Sequence, residues 1–211
     1  MIILFDLDGT LIDSTEAILE SFTNSFNVLG ETPRDEEAIK ALIGYPLDIM
    51  YAKLGIEQER VWDFVATYKE HYRKISTQKT VLLPNAKESV LEAAKFATLG
   101  IVTTKTARYS KVLMEHFGLM DKFEVLIGRE DVEHPKPHEE PILKALEKLP
   151  QDRDVWIIGD TELDLISAKN ANINSIAVLS GYGTKDTLTK HTEFISQDAL
   201  EAVKFLKSRK I

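Results

Sequence analysis

Two aspartates near the start of the chain, Asp6 and Asp8, have the residue type and spacing that chemistry on phosphorus requires. They follow the apolar residues 1–5 directly, and Gly9 and Thr10 come next in the stretch DLDGT. A carboxylate can attack phosphorus and form an acyl phosphate that water later hydrolyses. A second carboxylate two residues away can protonate the leaving oxygen and then deprotonate that water. The opening stretch therefore predicts a catalytic pair at the end of a buried strand.

Other polar side chains follow later apolar segments in the same way, and these are Thr103, Thr104, Lys105, Asp160 and Asp164. Lys136 stands between two prolines in HPKPHEEP. Open parallel sheets bind ligands beyond the carboxyl ends of their strands, so we expect all these groups to meet at one rim. A lysine and a hydroxyl can hold phosphoryl oxygens. Carboxylates crowded at one rim repel each other, and a divalent cation relieves this repulsion. A ligand set made only of oxygen atoms favours Mg²⁺ over zinc.

The elements that must position these residues alternate between short apolar runs and helical stretches. The predicted strands are 2–6, 100–104, 123–127, 155–159 and 175–179. The predicted helices between them include 86–98, 108–117 and 141–149. The strands are rich in β-branched and aromatic residues and show little alternation, as strands buried on both faces do. This order predicts an α/β fold with a doubly wound parallel sheet.

Residues 14–80 interrupt this alternation of strands and helices, because they contain about four predicted helices and no convincing strand. Asp13 and Glu16 are spaced like a capping box at the first of these helices, and Thr32 is the predicted N-cap of the second. We therefore predict a catalytic core formed by 1–13 and 81–211, with 14–80 as an inserted helical cap. Two short connections suit a hinged lid that limits access to the site.

Composition limits the classes of function. The 211 residues carry a formal net charge of -8, opposite in sign to a surface that binds duplex nucleic acid. There is no cysteine, which excludes disulfides, thiolate zinc sites and a cysteine nucleophile. No apolar run approaches the ~20 residues of a membrane helix, and no secretory signal is recognisable. We expect a cytoplasmic monomer or homodimer that acts on a small phosphorylated metabolite and binds neither nucleic acid nor membrane.

Four motifs of this chain resemble those of the haloacid dehalogenase-like superfamily, in order and at fitting spacing: DLDGTLIDS, IVTTK, KPHEEP and GDTELD. The helical insert resembles the first type of cap in that family, and the resemblance covers nearly the whole chain. It implies a Rossmann-like core with Mg²⁺ as cofactor. One departure is Glu139, which stands where the family commonly has a proline that shapes the backbone.

The resemblance also implies roles for individual residues. Asp6 would be the nucleophile, Asp8 the general acid and base, and Lys136 the group that orients nucleophile and phosphate. Asp160 would bind Mg²⁺ together with Asp6 and the Asp8 backbone carbonyl, and Asp164 would lie in the second shell or hold Lys136. The resemblance also implies that Thr103 binds the phosphoryl group, and we predict that Gly9, Thr10, Thr104 and Lys105 bind substrate beside it.

The leading prediction is a Mg²⁺-dependent phosphatase that forms an aspartyl-phosphate, with phosphoglycolate as substrate. A related bacterial pyrophosphatase type and a sugar-phosphate mutase remain alternatives, and a non-catalytic binding module is a further one. A dehalogenase of the superfamily would lack the second aspartate, which is present here as Asp8. Lys105 and Arg108 are candidates for pairing the second anionic end of the substrate, and the loop around Tyr45 is another candidate for specificity.

Overall fold

The computed structural model describes residues 1–151 and 154–209, and the chain divides into two compact units. One, the α/β unit, consists of Met1–Asp13 and Leu82–Ile211, and the other, the helical unit, is Ser14–Val81. Across the described ranges, no helix combines the length and the apolar character that spanning a membrane requires.

The chain forms eight strands within the described residues. In chain order they are β1 (Ile2–Phe5), β2 (Ile12–Asp13), β3 (Val81–Leu82), β4 (Thr98–Val102), β5 (Val125–Ile127), β6 (Val155–Gly159), β7 (Asn174–Val178) and β8 (Ile195–Ser196). Six of them form one parallel sheet in the order β5-β4-β1-β6-β7-β8. The predicted doubly wound parallel sheet is therefore confirmed, with β1 near its centre.

Ten α-helices are described, four of them in the helical unit. In chain order they are α1 (Thr15–Val28), α2 (Glu36–Lys40), α3 (Leu47–Lys53), α4 (Val61–Ile75), α5 (Ala86–Ala93), α6 (Ala107–His116), α7 (Glu140–Glu147), α8 (Glu162–Asn170), α9 (Lys185–Leu188) and α10 (Ala199–Arg209). Two 3₁₀ turns cover Met120–Lys122 and Arg129–Asp131. Residues of α5, α6 and α10 pack in one core layer and residues of α7 and α8 in another, so helices cover both faces of the sheet.

Strand β1 explains why the opening residues are apolar without alternation. Ile3 and Phe5 belong to the core layer with α5, α6 and α10, while Ile2 and Leu4 belong to the layer with α7. Successive side chains of a strand point to opposite faces, so a central strand between two helical layers needs apolar residues at every position. The same arrangement places the end of β1 at the middle of the sheet edge.

Aromatic side chains form the core of the helical unit. The Phe22 ring lies 4.6 Å from the Tyr51 ring and 5.1 Å from the Tyr68 ring, and Phe26 lies 5.5 Å from Phe64, measured between centroids. The rings are tilted or edge-on, the geometries that aromatic quadrupoles favour. This cluster joins α1, α3 and α4 within the unit.

Sheet pairing shifts two predicted elements. The helix predicted over 86–98 ends at Ala93, because Thr98 is already paired with Ile2 in the sheet. For the same reason the strand predicted over 100–104 begins and ends two residues earlier, as β4. Local propensity does not show where pairing with a distant strand begins.

The predicted caps of the first two helices are wrong. Asp13 belongs to the extended strand β2, so the N-cap of α1 is Ser14. Thr32 lies outside α2, whose N-cap is Asp35. Several neighbouring residues offer capping chemistry here, and the course of the chain decides which one stands at the helix start.

Removing a ring from the aromatic cluster should destabilise the protein strongly. We expect Phe22→Ala to lower the free energy of unfolding by about 3–5 kcal/mol, because the ring is fully buried and leaves a cavity. Trp62→Ala on α4 is the matched control, since this side chain is 59% exposed and should change stability by about 0.5 kcal/mol or less. Urea unfolding followed by circular dichroism measures both, and equal effects would contradict the cluster.

Candidate active site

The chain turns sharply just beyond β1. The Leu7 carbonyl accepts hydrogen bonds at 2.8–3.1 Å from the backbone N–H groups of Thr10, Leu11 and Ile12. Gly9 has φ +83°, and a Cβ on it would lie 2.2 Å from Asp160 Oδ2. Glycine is therefore required both for the left-handed conformation and for the close approach to Asp160. This turn ends the strand directly at Asp6 and Asp8.

Lys136 is the cation at the centre of the site, and it is 3% exposed. Its Nζ lies 2.9 Å from Asp6 Oδ1, donates to the Val102 carbonyl at 3.0 Å and donates to Asp164 Oδ1. Two of its three N–H groups therefore form hydrogen bonds, and the charge of the ammonium attracts the Asp6 carboxylate. Burial alone lowers the pKa of Lys136, but the carboxylates of Asp164 and Asp6 more than offset this, and its pKa lies above the ordinary range.

Asp160 follows β6 and is fully buried. Its Oδ1 accepts a hydrogen bond from the Thr10 hydroxyl at 3.1 Å, and its Oδ2 accepts one from the Tyr182 backbone N–H at 2.8 Å. Segments far apart in the chain therefore hold this carboxylate in one orientation. Thr10, predicted to bind substrate, has its hydroxyl engaged with Asp160 in this structure.

Asp164 lies in the first turn of α8. Its Oδ2 accepts hydrogen bonds from the Thr161 hydroxyl at 2.8 Å and the Thr161 backbone N–H at 3.1 Å, which makes a capping box with Thr161 as N-cap. Its Oδ1 holds Lys136. Both carboxylate oxygens are thus engaged within the protein, Oδ1 by Lys136 and Oδ2 by Thr161.

Three buried carboxylates share this rim. Asp6, Asp160 and Asp164 each offer an oxygen within 4.8 Å of the others. Burial raises the pKa of Asp6 to about 7, although Lys136 opposes the rise and Asp164 adds to it. Burial, with the charges of Asp164 and Asp6, also raises the pKa of Asp160 well above its usual range. The cluster is therefore an unfavourable place for negative charge.

This donor set fits a divalent cation. Lys136 is the one ammonium paired with the cluster among the described residues, so three carboxylates exceed the positive charge beside them. Hard oxygen ligands bind Mg²⁺ or Ca²⁺ rather than softer metals. Asp6 and Asp160 are the residues that would hold such an ion, since Asp164 is already engaged by Lys136 and Thr161.

Asp8 lies outside this cluster and has a different cationic partner. Lys105 Nζ lies 2.9 Å from Asp8 Oδ2, and both side chains are largely buried. The Lys105 backbone N–H donates to the hydroxyl of Thr103, which is 4% exposed, at 3.2 Å. The structure therefore brings Asp8, Lys105 and Thr103 together at the ends of β1 and β4.

Other predicted residues have different surroundings. Thr104 follows Thr103 and is half-buried. The Arg108 backbone N–H donates to the Glu130 carboxylate at 3.3 Å, at the exposed start of α6. Tyr45 belongs to the helical unit, where the Lys53 ammonium lies 5.0 Å from its ring centroid.

Residues 180–182 contribute to the site in a way that sequence reasoning missed. The Ser180 hydroxyl donates to the Gly9 carbonyl at 2.9 Å, and a Cβ on Gly181 would lie 2.0 Å from Asp160 Oδ2. Together with the Tyr182 N–H, this loop holds both the turn after β1 and Asp160. The only sequence signal is the GYG stretch after a strand, which is too short to identify a function.

A divalent cation should stabilise this fold, and Asp160 should be needed for the effect. At 100 times its dissociation constant, a bound ion adds about 2.7 kcal/mol, which raises Tm by roughly 5–10 °C for a protein of this size. We expect Asp160→Asn to abolish this shift when Mg²⁺ is added to chelated protein in a thermal scan.

Glu162→Gln is the matched control for this experiment, because it removes a nearby carboxylate whose side chain is 48% exposed. It should keep the Mg²⁺-dependent shift. A shift of equal size in the Asp160→Asn protein would contradict the assignment.

Known proteins share both this sequence pattern and this fold. The family model for haloacid dehalogenase-like hydrolases matches residues 3–178. The chain is 35% identical over 191 residues to the pyrophosphatase PpaX of Halalkalibacterium halodurans, covering 87% of this chain and 84% of that protein. It is 34% identical over 194 residues to "Probable phosphatase IndB" of Dickeya dadantii, covering 89% and 84%.

A solved structure supports the same assignment. The crystal structure described as a predicted phosphatase from Clostridium acetobutylicum superposes with a TM-score of 0.89 at 26% identity, covering 98% of each chain. The matched family region contains all three carboxylates of the cluster and Lys136. The chain therefore belongs to the haloacid dehalogenase-like hydrolase family.

Proposed function

We propose that this protein is a phosphatase that hydrolyses a small phosphorylated compound through an aspartyl-phosphate on Asp6. The observation that carries the proposal is the surroundings of Asp6. Its carboxylate is buried at the end of the central strand, 2.9 Å from the Lys136 ammonium and within a carboxylate cluster that fits a cation. Asp8, two residues on, belongs to a separate ion pair. One carboxylate can therefore act as nucleophile while the other transfers protons.

In the first step, a carboxylate oxygen of Asp6 attacks phosphorus and the bond from phosphorus to the leaving oxygen breaks. Protonated Asp8 gives its proton to that leaving oxygen. In the second step, a water oxygen attacks phosphorus, the bond from phosphorus to Asp6 breaks, and the Asp8 carboxylate takes a proton from the water. The products are the protonated leaving group and inorganic phosphate, and both aspartates return to their starting forms.

The neighbouring side chains have supporting roles in this proposal. Lys136 orients Asp6 and places positive charge beside the transferring group, while Asp164 holds Lys136 in place. Thr103 is the proposed hydroxyl for a phosphoryl oxygen, since it lies at the end of β4 and is almost fully buried. Preorganised donors of this kind stabilise the charge that develops in a transition state.

Mg²⁺ is the proposed cofactor, with Asp6, Asp160 and the Asp8 backbone carbonyl as its protein ligands. When bound, it neutralises negative charge on the transferring phosphoryl group and on the carboxylates around it. The excess of carboxylates over ammonium groups in the cluster supports this choice. The protein's own contribution is to hold Asp160 by Thr10 and the Tyr182 N–H before any ion arrives.

The substrate is proposed to be a small, doubly anionic phosphate. Pyrophosphate has support from relatives named pyrophosphatase PpaX, at 35% identity in Halalkalibacterium halodurans. Phosphoglycolate has support from the resemblance of the motifs and the cap to phosphoglycolate phosphatases. Lys105 and Arg108 were the sequence-based candidates for pairing the second anionic end of the substrate, and in this structure the Lys105 ammonium is paired with Asp8. The named relatives therefore make pyrophosphate the first substrate to test.

Replacing the nucleophile should abolish turnover without unfolding the protein. We expect Asp6→Asn to lower kcat by on the order of 10⁴-fold or more, because an amide cannot form the acyl phosphate. Asp13→Asn is the matched control, since Asp13 is exposed and close in sequence, and it should keep kcat within about twofold. Phosphate release at saturating Mg²⁺ measures both. Comparable turnover in folded Asp6→Asn protein would exclude Asp6 as nucleophile.

A substrate panel should separate the proposed substrates. We expect pyrophosphate and phosphoglycolate to be hydrolysed with kcat/KM at least about tenfold above that of ethyl phosphate, since each offers a second anionic group to pair. Whichever of the two has the higher kcat/KM is the better candidate substrate. Conversion of a hexose 1-phosphate to its 6-phosphate without phosphate release would instead support the mutase alternative. Equal kcat/KM for pyrophosphate, phosphoglycolate and ethyl phosphate would exclude recognition of a second charge.

A further inference from the structure

Asp6 and Asp8 are each paired with a different lysine. Lys136 Nζ lies 2.9 Å from Asp6 Oδ1, and Lys105 Nζ lies 2.9 Å from Asp8 Oδ2. We propose that Lys105 is the positioning residue of Asp8, which it holds in the orientation needed for both proton transfers. This inference rests on the proposed phosphatase function and assigns Lys105 a role other than binding the distal end of the substrate.

The backbone of Lys105 is fixed from two sides. Its N–H donates to the Thr103 hydroxyl at 3.2 Å, and its carbonyl accepts a hydrogen bond from the Arg129 N–H at 3.0 Å. The second contact depends on Gly128, because a Cβ there would lie 2.3 Å from the Ala107 backbone nitrogen. The loop between β4 and α6 is therefore braced against the segment after β5. A side chain that starts from a braced backbone can position another group accurately.

The start of α6 next to Lys105 is also occupied. The Glu130 carboxylate accepts hydrogen bonds from the Ala107 N–H at 2.8 Å and the Arg108 N–H at 3.3 Å. A carboxylate at a helix N-terminus satisfies backbone donors that would otherwise attract an outside anion. In this structure, both the Lys105 ammonium and the helix start beside it are engaged by carboxylates of the protein itself.

Burial distinguishes the Lys105–Asp8 pair from a surface ion pair on α6, the helix that follows Lys105. The two side chains are 9% and 13% exposed, whereas Lys111 and Glu115 on α6 are 63% and 54% exposed at 3.8 Å. Exposed pairs are weakened by solvent screening and side-chain motion and constrain their partners little. In a largely desolvated pair, the charges attract more strongly and losing one partner leaves the other unpaired. The Lys105 ammonium therefore restrains Asp8.

This restraint affects the chemistry of Asp8. Rotation about χ2 would exchange the two carboxylate oxygens, since this torsion is broad and roughly two-fold in aspartate. With Oδ2 held by Lys105, the carboxylate keeps one orientation for giving the proton to the leaving group and for accepting a proton from water. A misplaced general acid matters most when the leaving group is strongly basic and needs that proton.

The proposal can be tested with the Lys105→Met variant, which keeps the side-chain length and removes the charge. Its activity is compared on two aryl phosphates whose leaving groups differ in basicity. With enzyme in excess and Mg²⁺ present, we expect phenolate release from phenyl phosphate to slow by about 10–100-fold, part of the 10²–10⁴-fold that general acid catalysis supplies. Release from 2,4-dinitrophenyl phosphate, whose leaving group needs no proton, should stay within about threefold of the wild-type rate. Equal slowing of both esters would overturn the proposal.

Control variants separate this role from others. Lys111→Met makes the same change on the exposed face of α6 and should alter neither rate. Adding Asp8→Asn to Lys105→Met should slow phenyl phosphate no further than Asp8→Asn alone, because both changes remove the same function. Independent, multiplicative losses in the double variant would contradict positioning through Asp8.

Two further outcomes separate a failure of this proposal from a failure of the proposed function. A loss confined to phosphoglycolate, with both aryl esters unchanged, would return Lys105 to the distal end of the substrate and overturn the proposal. Lys105→Gln, which keeps a hydrogen-bond donor, replaces the Met variant if that protein does not fold. If the wild-type protein releases neither phenol, or Asp6→Asn releases both as fast, the proposed function itself fails, independently of Lys105.

Discussion

Burying like charges at the end of a parallel sheet is the constraint on which the α/β unit depends. Three carboxylates converge where β1 and β6 end, in surroundings that raise the pKa of Asp6 and of Asp160. Lys136 makes this arrangement possible because its single ammonium contacts Asp6, Asp164 and a backbone carbonyl at once. Breaking such a buried group of charges by removing one partner typically costs about 3–5 kcal/mol. The α/β unit therefore depends on Lys136 at the place where chemistry is proposed.

Close backbone approach is the second requirement of this site. Gly9 and Gly181 both approach Asp160 Oδ2 so closely that a Cβ would overlap it, at 2.2 and 2.0 Å. A Cβ on Gly159 would likewise lie 2.4 Å from the Asp164 side chain. Two loops and the last residue of β6 therefore enclose two carboxylates without room for a side chain, and the backbone itself supplies part of the hydrogen bonding. A carboxylate held in this way needs little rearrangement when a ligand binds.

The two lysines divide the aspartates into two electrostatic surroundings. Asp6 belongs to the buried cluster around Lys136, whereas Asp8 is paired with Lys105 outside that cluster. Two chemically identical side chains two residues apart can have different functions when their environments differ. Both aspartates lie between the end of β1 at Phe5 and the turn at Gly9, where the chain has φ +83°.

The sequence by itself determined the doubly wound sheet, because a central strand buried on both faces must be apolar at every position, as Ile2–Phe5 is. It also indicated which residues lie at the rim, since the end of each strand is a local feature. Only the tertiary structure decided the partners. The Ser180 hydroxyl meets the Gly9 carbonyl across 171 positions, and Thr10 meets Asp160 across 150. Lys105 could have faced a substrate or Asp8, and local spacing does not distinguish these cases. Such contacts depend on how strands and loops pack in three dimensions, and neighbouring residues do not specify that packing.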